Sequence, residues 1–316
     1  MGQYIARRLI FAVPTIFLVT LLVFSAVRMV PGDAVMIMLG DANVSSADIT
    51  AMRTRLGLDQ PIWQQYARWL GEMTRGDLGN SLFSRQPVFQ EIVVQRLPVT
   101  LELMGLSILI SLLIGLPVGI LSAVRQDTTR DYISRSAAIL GLSVPYFWTA
   151  TLIILYGSIW FGWMPPVRYV DLTEDPIQHL SQLVIPAVLL GVYMAAIVMR
   201  MSRTTLLEVL RQDYIRTAWA KGLRERLVIV RHALRNAMAP VVTIVGVNIV
   251  LGLSGTVILE QIFVIPGIGS YIISAVLWRD YPAIQAVNLF MAIPVVGINL
   301  LVDVAVAYLD PRIRYR

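Results

Sequence analysis

The chain has 316 residues, 57% hydrophobic and only 15% charged, with a mean hydropathy of +0.70. A soluble domain of this length cannot be made from that composition, so the chain is a polytopic membrane protein. Cysteine is absent, which removes disulfide and thiolate chemistry, and the net charge of +6 calls for no nucleic acid, since a basic soluble face with aromatics to stack on is missing.

Six apolar segments of roughly spanning length run from Leu9 to Val27, Leu103 to Val124, Ala137 to Phe161, Leu183 to Met199, Pro240 to Ile258 and Ala283 to Leu309. All are expected to be helices, because backbone amides in lipid must be satisfied within their own segment. The first follows Arg7 and Arg8 and so begins like a signal peptide. Its apolar run is too long and no small-residue cleavage site follows, so it is read as a retained helix. The chain divides into 1–28 with the first span, an extracytoplasmic helical stretch 29–98, and a core 99–316 with five spans.

In the stretch from Val30 to Pro98, Ser46 with Asp48 opens a short helix that Gly57 closes. Pro61 suits the first turn of the next, whose Ile62, Trp63, Tyr66, Trp69, Leu70 and Met73 share one face until Gly76. That aromatic face reads either as packing or an interfacial belt, or as a surface that receives a soluble partner.

Every span carries a proline: Pro14, Pro117, Pro145, Pro186, Pro240 and Pro294. Proline frees a carbonyl and bends a helix, and freed backbone at membrane depth is tolerated only beside protein or a watery cavity. Gly115 and Gly119, four apart, permit close helix contact. Glu102 and Asp303 lie at the outer and inner rims of their spans. Intramembrane acids are functional candidates, so Glu102, Pro145, Asn248 and Asp303 are the candidates for a translocation path or gate; the two acids read equally well as interfacial or paired structural groups.

Between the fourth and fifth spans, Arg200 to Ala239 holds nine cations against three acids. Short loops rich in Lys and Arg stay in the cytoplasm, and with both termini inside, 17 of the 26 cations are inner. Within this loop Asp213 is a fair N-cap, Ile215, Ala218, Trp219 and Gly222 recur at helical spacing, and Gly222 can end the turn. The expected short helix, with Trp219 as an apolar knob among cations, either fits a partner's groove or rests on anionic lipid.

The phosphate-cradling P-loop needs a Lys followed by Ser or Thr. The single lysine, Lys221, is followed by Gly222, so ATP-driven work would need a second polypeptide touching the inner face. Gly252-Leu253-Ser254-Gly255 fits the pattern of an intramembrane serine protease, whose Ser254 would need a histidine base. Both histidines, His179 and His232, precede it and are expected in loops, and a lone loop histidine among arginines has no metal-ligand partners. A passive channel is the third class, and it would not require a docking loop of this length.

Asp213 to Pro240, with Ala220-Lys221-Gly222-Leu223 and Arg231-His232-Ala233-Leu234-Arg235-Asn236-Ala237, resembles the cytoplasmic "EAA" loop of binding-protein-dependent ABC import permeases of the dipeptide, oligopeptide and nickel subfamily. Pro31-Gly32-Asp33, Gly76 to Leu82, Arg96 to Leu103, Pro266 to Gly269, Arg279 to Pro282 and Asp310 to Tyr315 resemble the same subfamily in order, so the likeness covers essentially the whole chain. The resemblance implies an all-α type I ABC importer (MetI-like) permease fold with six transmembrane helices, in a bacterial or archaeal cytoplasmic membrane. It implies pairing with a second homologous permease, two ABC ATPase subunits that carry the ATP and Mg, and an extracytoplasmic substrate-binding protein. No cofactor and no catalytic residue would belong to this chain. The cargo would be di- or oligopeptides, with nickel complexes, glutathione or another small solute as the alternative. ATPase coupling would fall to Asp213, Tyr214, Arg216, Ala218, Trp219, Lys221 and Gly222. Arg216-Thr217-Ala218 stands where the wider family has Glu-Ala-Ala, and Trp219 where this branch commonly has Arg. A glutamate contact is therefore not carried over.

Overall fold

The computed structural model describes residues 2–29, 35–36, 45–55 and 57–309. The expected motifs Pro31-Gly32-Asp33 and Asp310 to Tyr315 lie outside them. The described residues are almost wholly helical, as an apolar chain in lipid requires. By contacts the chain forms two units, one of Thr100–Ile265 with Met1–Ile5 and Gly297–Arg316, the other of Ala6–Val99 and Pro266–Val296.

Four helices among the described residues are long and apolar enough to cross a membrane, within Val88–Val124, Pro176–Leu210, Glu225–Ile262 and Tyr281–Tyr308. The expected single span from Ala137 to Phe161 is instead two helices, α6 (Thr129–Ser143) and α7 (Tyr146–Phe161), bent by 83°. Pro145 is the cause: it is the N-cap of α7 at φ −62° and ψ 126°, and it holds Val144 before it in extended backbone. If this pair is one span, the described residues hold up to five. The first helix, α1 (Gly2–Met29), carries the expected apolar run Leu9 to Val27. Pro14, Pro117, Pro186, Pro240 and Pro294 lie inside continuous helices, so of the six prolines only Pro145 stands at a break.

In the unit of Ala6–Val99 and Pro266–Val296, α2 (Ser46–Arg55) starts one residue after its cap. Ser45, not Ser46, accepts the Asp48 amide at 3.2 Å and donates to the Asp48 carboxylate at 2.8 Å. Pro61 caps α3 (Ile62–Thr74) from just outside it. Tyr66 and Trp69 pack edge-on or tilted against Phe24 of α1 at 5.2 and 5.9 Å, and the Tyr66 hydroxyl meets Thr20 at 3.0 Å. The aromatic face of α3 is therefore chiefly packing, with Ile62 and Trp63 left exposed. The core of this unit joins Leu78, Val88 of the short α4 (Val88–Gln90) and Ile92 to α11 (Ile268–Leu277) and to Ala283, Ile284 and Val287 of α12 (Tyr281–Leu309).

In the other unit, α5 (Leu97–Val124) lies against α8 (Pro176–Leu210), and α8 against α10 (Arg235–Ile262). A Cβ on Gly115 would come within 2.8 Å of the Ala195 carbonyl, and one on Gly119 within 2.7 Å of the Met199 carbonyl. Both glycines are thus required by helix approach, as small residues are in membrane bundles. Gly119→Leu is expected to cost about 1–3 kcal/mol through overpacking, read as a lowered thermal midpoint of the purified protein; an unchanged midpoint would refute this contact. Buried Thr100 donates to buried Glu260 at 2.7 Å and joins α5 to α10.

Candidate functional site

The cationic stretch Arg200 to Ala239 is not a loop. Helix α8 runs on to Leu210, a short helix α9 (Asp213–Ala220) follows, and Glu225–Leu227 and the wide-turned Val228–Leu234 lead straight into α10. The N-cap of α9 is Gln212, in extended backbone, without a side-chain cap; Asp213, the expected cap, is its first helical residue. There the carboxylate favours the positive helix end. At the other end Gly222 donates its amide to the Trp219 carbonyl at 2.9 Å and adopts φ +73°, the left-handed conformation that lets the chain turn away.

Two residues hold α9 in place. Ile215 is fully buried and Ala218 nearly so, in a cluster with Ala123, Leu206, Val228, Ala233 and Ala237. At 3.6 residues per turn, Tyr214 and Trp219 fall about 70° to either side of that buried stripe. Both are 44% exposed. The two aromatics flank the seated face, while Asp213, Arg216 and Thr217 point away from it. Trp219 thus lies on one flank of the seated face, with Tyr214 on the other, rather than as a knob at the apex. The Asn236 side-chain amide donates to the Tyr214 hydroxyl at 2.9 Å and steadies one edge. The Asp213–Arg216 pair, 3.4 Å apart with both side chains largely exposed, contributes little beyond charge pattern.

Beneath this platform lies a buried ion pair that no motif in the sequence singles out. Asp131 of α6 is fully buried, and Arg203 of α8 grips both its carboxylate oxygens, Nε to Oδ1 and Nη2 to Oδ2, each at 2.8 Å. Ser122 of α5 donates to Oδ1, and the Asp127 amide donates to Oδ2 at 3.1 Å. Three helices meet on one carboxylate. Ser122 adjoins Ala123, and Arg203 lies one turn from Leu206, both part of the seat of α9. The available signal is an acid among Arg125, Arg130 and Arg135, but partner choice across 72 residues is not written in it.

The expected path residues have separate settings. Glu102 sits 2.9 Å from Nε2 of His179, which is not in a loop but in the first turn of α8, 3% exposed, with Nδ1 donating to the Val170 carbonyl at 3.0 Å. Asp175 caps that turn through the Ile177 and Gln178 amides, 3.0 Å each. Burial, with Glu102 nearby, pushes the Tyr169 phenol above its ordinary range. Asn248 is buried and donates to the Met194 carbonyl at 3.4 Å, between α10 and α8. Pro145 stands at the α6–α7 bend, and Asp303 is half-buried in α12 and engaged with a neighbour. Ser254 is mid-helix in α10 and exposed, His179 has both ring nitrogens engaged, and His232, expected in a loop, lies in the wide-turned helical segment Val228–Leu234. No nucleophile–base pair forms there.

A family profile described as binding-protein-dependent transport system inner membrane component matches residues 115–315, and the corresponding N-terminal profile matches residues 1–104. The chain is 39% identical over 339 residues to the dipeptide transport system permease protein DppB of Escherichia coli (strain K12), covering 100% of both chains. It is 38% identical over 317 residues to the oligopeptide transport system permease protein AppB of Bacillus subtilis (strain 168), again covering 100% of both. Among solved structures, an inward-facing MetNI methionine ABC transporter matches 69% of this chain and 96% of its own with a TM-score of 0.56 at 18% identity. That likeness speaks for the fold alone.

Proposed function

We infer from a chain that belongs to the family of binding-protein-dependent transport system inner membrane components that α9 is the helix through which separate ATPase subunits drive peptide import. The observation that carries this is the seating of α9. Its inner face is locked into the bundle through Ile215 and Ala218, while Tyr214 and Trp219 remain exposed on a surface amid cations. Exposed aromatics on a rigid short helix suit a groove on a partner. Motion of that partner then reaches α5, α8 and α10 through packed side chains rather than through a loop.

The reading extends to the remaining assembly. The cationic stretch and both termini face the cytoplasm, ATP and Mg are held by two ATPase subunits, and a second homologous permease completes the pathway. An extracytoplasmic binding protein delivers the peptide. The names of relatives at 38–39% identity over the full length support peptide as the cargo, and membership in a family of transport-system membrane components supports hydrolysis by separate subunits. Glu102, Asn248 and Asp303 belong to the path or its gate, and the α6–α7 bend at Pro145 is a natural hinge. Loaded binding protein and ATP must prefer the outward-facing state, since a ligand shifts an equilibrium only through differential affinity.

The test is reconstitution. Proteoliposomes holding this chain with its neighbouring-gene permease, ATPases and binding protein are expected to accumulate a labelled dipeptide only with ATP, and Trp219→Ala is expected to lower that uptake about tenfold or more by removing an exposed aromatic anchor. Uptake by the chain alone, or without ATP, would defeat the proposal.

A further inference from the structure

A cavity of about 140 Å³ in the unit of Ala6–Val99 and Pro266–Val296 is lined by Arg28, Gln65, Arg68, Trp69, Tyr281 and Gln285, with Glu72 as the one acid among its described lining residues. We propose that it binds the phosphate of a membrane phospholipid headgroup. Arg28 is the reason. Its Nε and Nη1 are buried and have no hydrogen-bond acceptor, and the Gln285 amide nitrogen is equally buried and unpartnered. The guanidinium is flanked by the ring faces of Phe24 at 5.0 Å and Tyr281 at 4.7 Å. Those faces attract a cation, yet accept no N–H bond as a carboxylate would. Buried charge is ordinarily paired, and guanidinium N–H groups give charge-assisted bonds to phosphate oxygens.

Depth selects the lipid as the source. Arg28 is in the last turn of α1, 21 residues beyond Arg7. At 1.5 Å per residue that is roughly 32 Å, the thickness of a bilayer's hydrocarbon core. Between the two arginines, Phe11, Val13, Phe17, Leu18 and Leu22 are at least half exposed, a face made for acyl chains. Arg28 therefore stands at headgroup level with two N–H donors unpaired, beside a cavity with room for a tetrahedral oxyanion. The wall carries two arginines against one acid, and Arg68 is already steadied by a 2.6 Å bond to Gln60.

The full-length protein, purified in a neutral detergent, is titrated with dioleoyl-phosphatidylglycerol or dioleoylglycerol, and bound lipid is counted by native mass spectrometry. The phosphate-bearing lipid is expected to bind about tenfold more tightly to the wild type than to Arg28→Gln, as loss of charge-assisted bonds requires, while dioleoylglycerol does not distinguish them. Inorganic phosphate is expected to compete only weakly. Equal affinity of the two proteins, or full competition by phosphate at the lipid's concentration, overturns the proposal. If Arg28→Gln does not accumulate, Arg68→Gln is read instead: a threefold or greater loss supports the site, and unchanged affinity overturns it.

Discussion

Gly222→Val lowers ATP-driven uptake to about a tenth or less of the wild-type rate while the protein still reaches the membrane. The site is open, since a Cβ at Gly222 would meet nothing within 4 Å, so a clash is not the cause. The backbone is. Gly222 sits at φ +73°, where a side chain costs about 1–2 kcal/mol and a β-branched one more. Strain at this exposed point is relieved by moving the end of α9, where Trp219 accepts the Gly222 amide, and not by unfolding the bundle. Gly222→Ala should show a smaller loss in the same direction. The decisive measurement is substrate-stimulated ATPase activity of the assembled variant at matched membrane abundance. Normal stimulation with valine in place would mean that the geometry of this turn does not couple the two parts.

Asp131→Ala costs about 3–5 kcal/mol of stability, because it leaves the Arg203 charge in a largely buried place without its partner. Arg203 is 17% exposed at its side chain and Asp131 fully buried, so water replaces the lost carboxylate only in part. The same reasoning expects rescue. Asp131→Ala combined with Arg203→Met removes both charges and should regain most of the thermal midpoint, since an apolar pair avoids the desolvation of two ions. The rescued protein separates folding from coupling. If the three-helix junction on Asp131 carries motion from the seat of α9, the double variant reaches the membrane in normal amount yet transports poorly. A single variant as stable as the wild type would remove the junction from any structural role.

Much of the molecule is legible from residue order. Apolar runs of spanning length mark the helices, and the turn ending α9 follows from one glycine after an amphipathic octet. The face of α9 is half legible: helical spacing puts Ile215, Ala218 and Trp219 on one side, but only packing divides them into two buried residues and an exposed edge. Asn248 shows the same limit. An amide in an apolar helix invites a functional reading, and its position against the Met194 carbonyl depends on how α8 meets α10. The bend at Pro145 was hidden because proline occurs in every span, and the other five lie within unbroken helices.

By itself the sequence determined that this is a helical membrane protein without a P-loop, bearing a cationic segment with a short amphipathic helix. Hydrophobic run length, missing side-chain chemistry and glycine's conformational freedom are all local properties. Tertiary structure alone decided that α8 extends into the supposed loop, that Asp131 belongs to Arg203 and Glu102 to His179, and that Pro266–Val296 groups with Ala6–Val99. Those pairings depend on which helix surfaces approach closely enough to exclude water, and residues 72 positions apart carry no local pattern that specifies it.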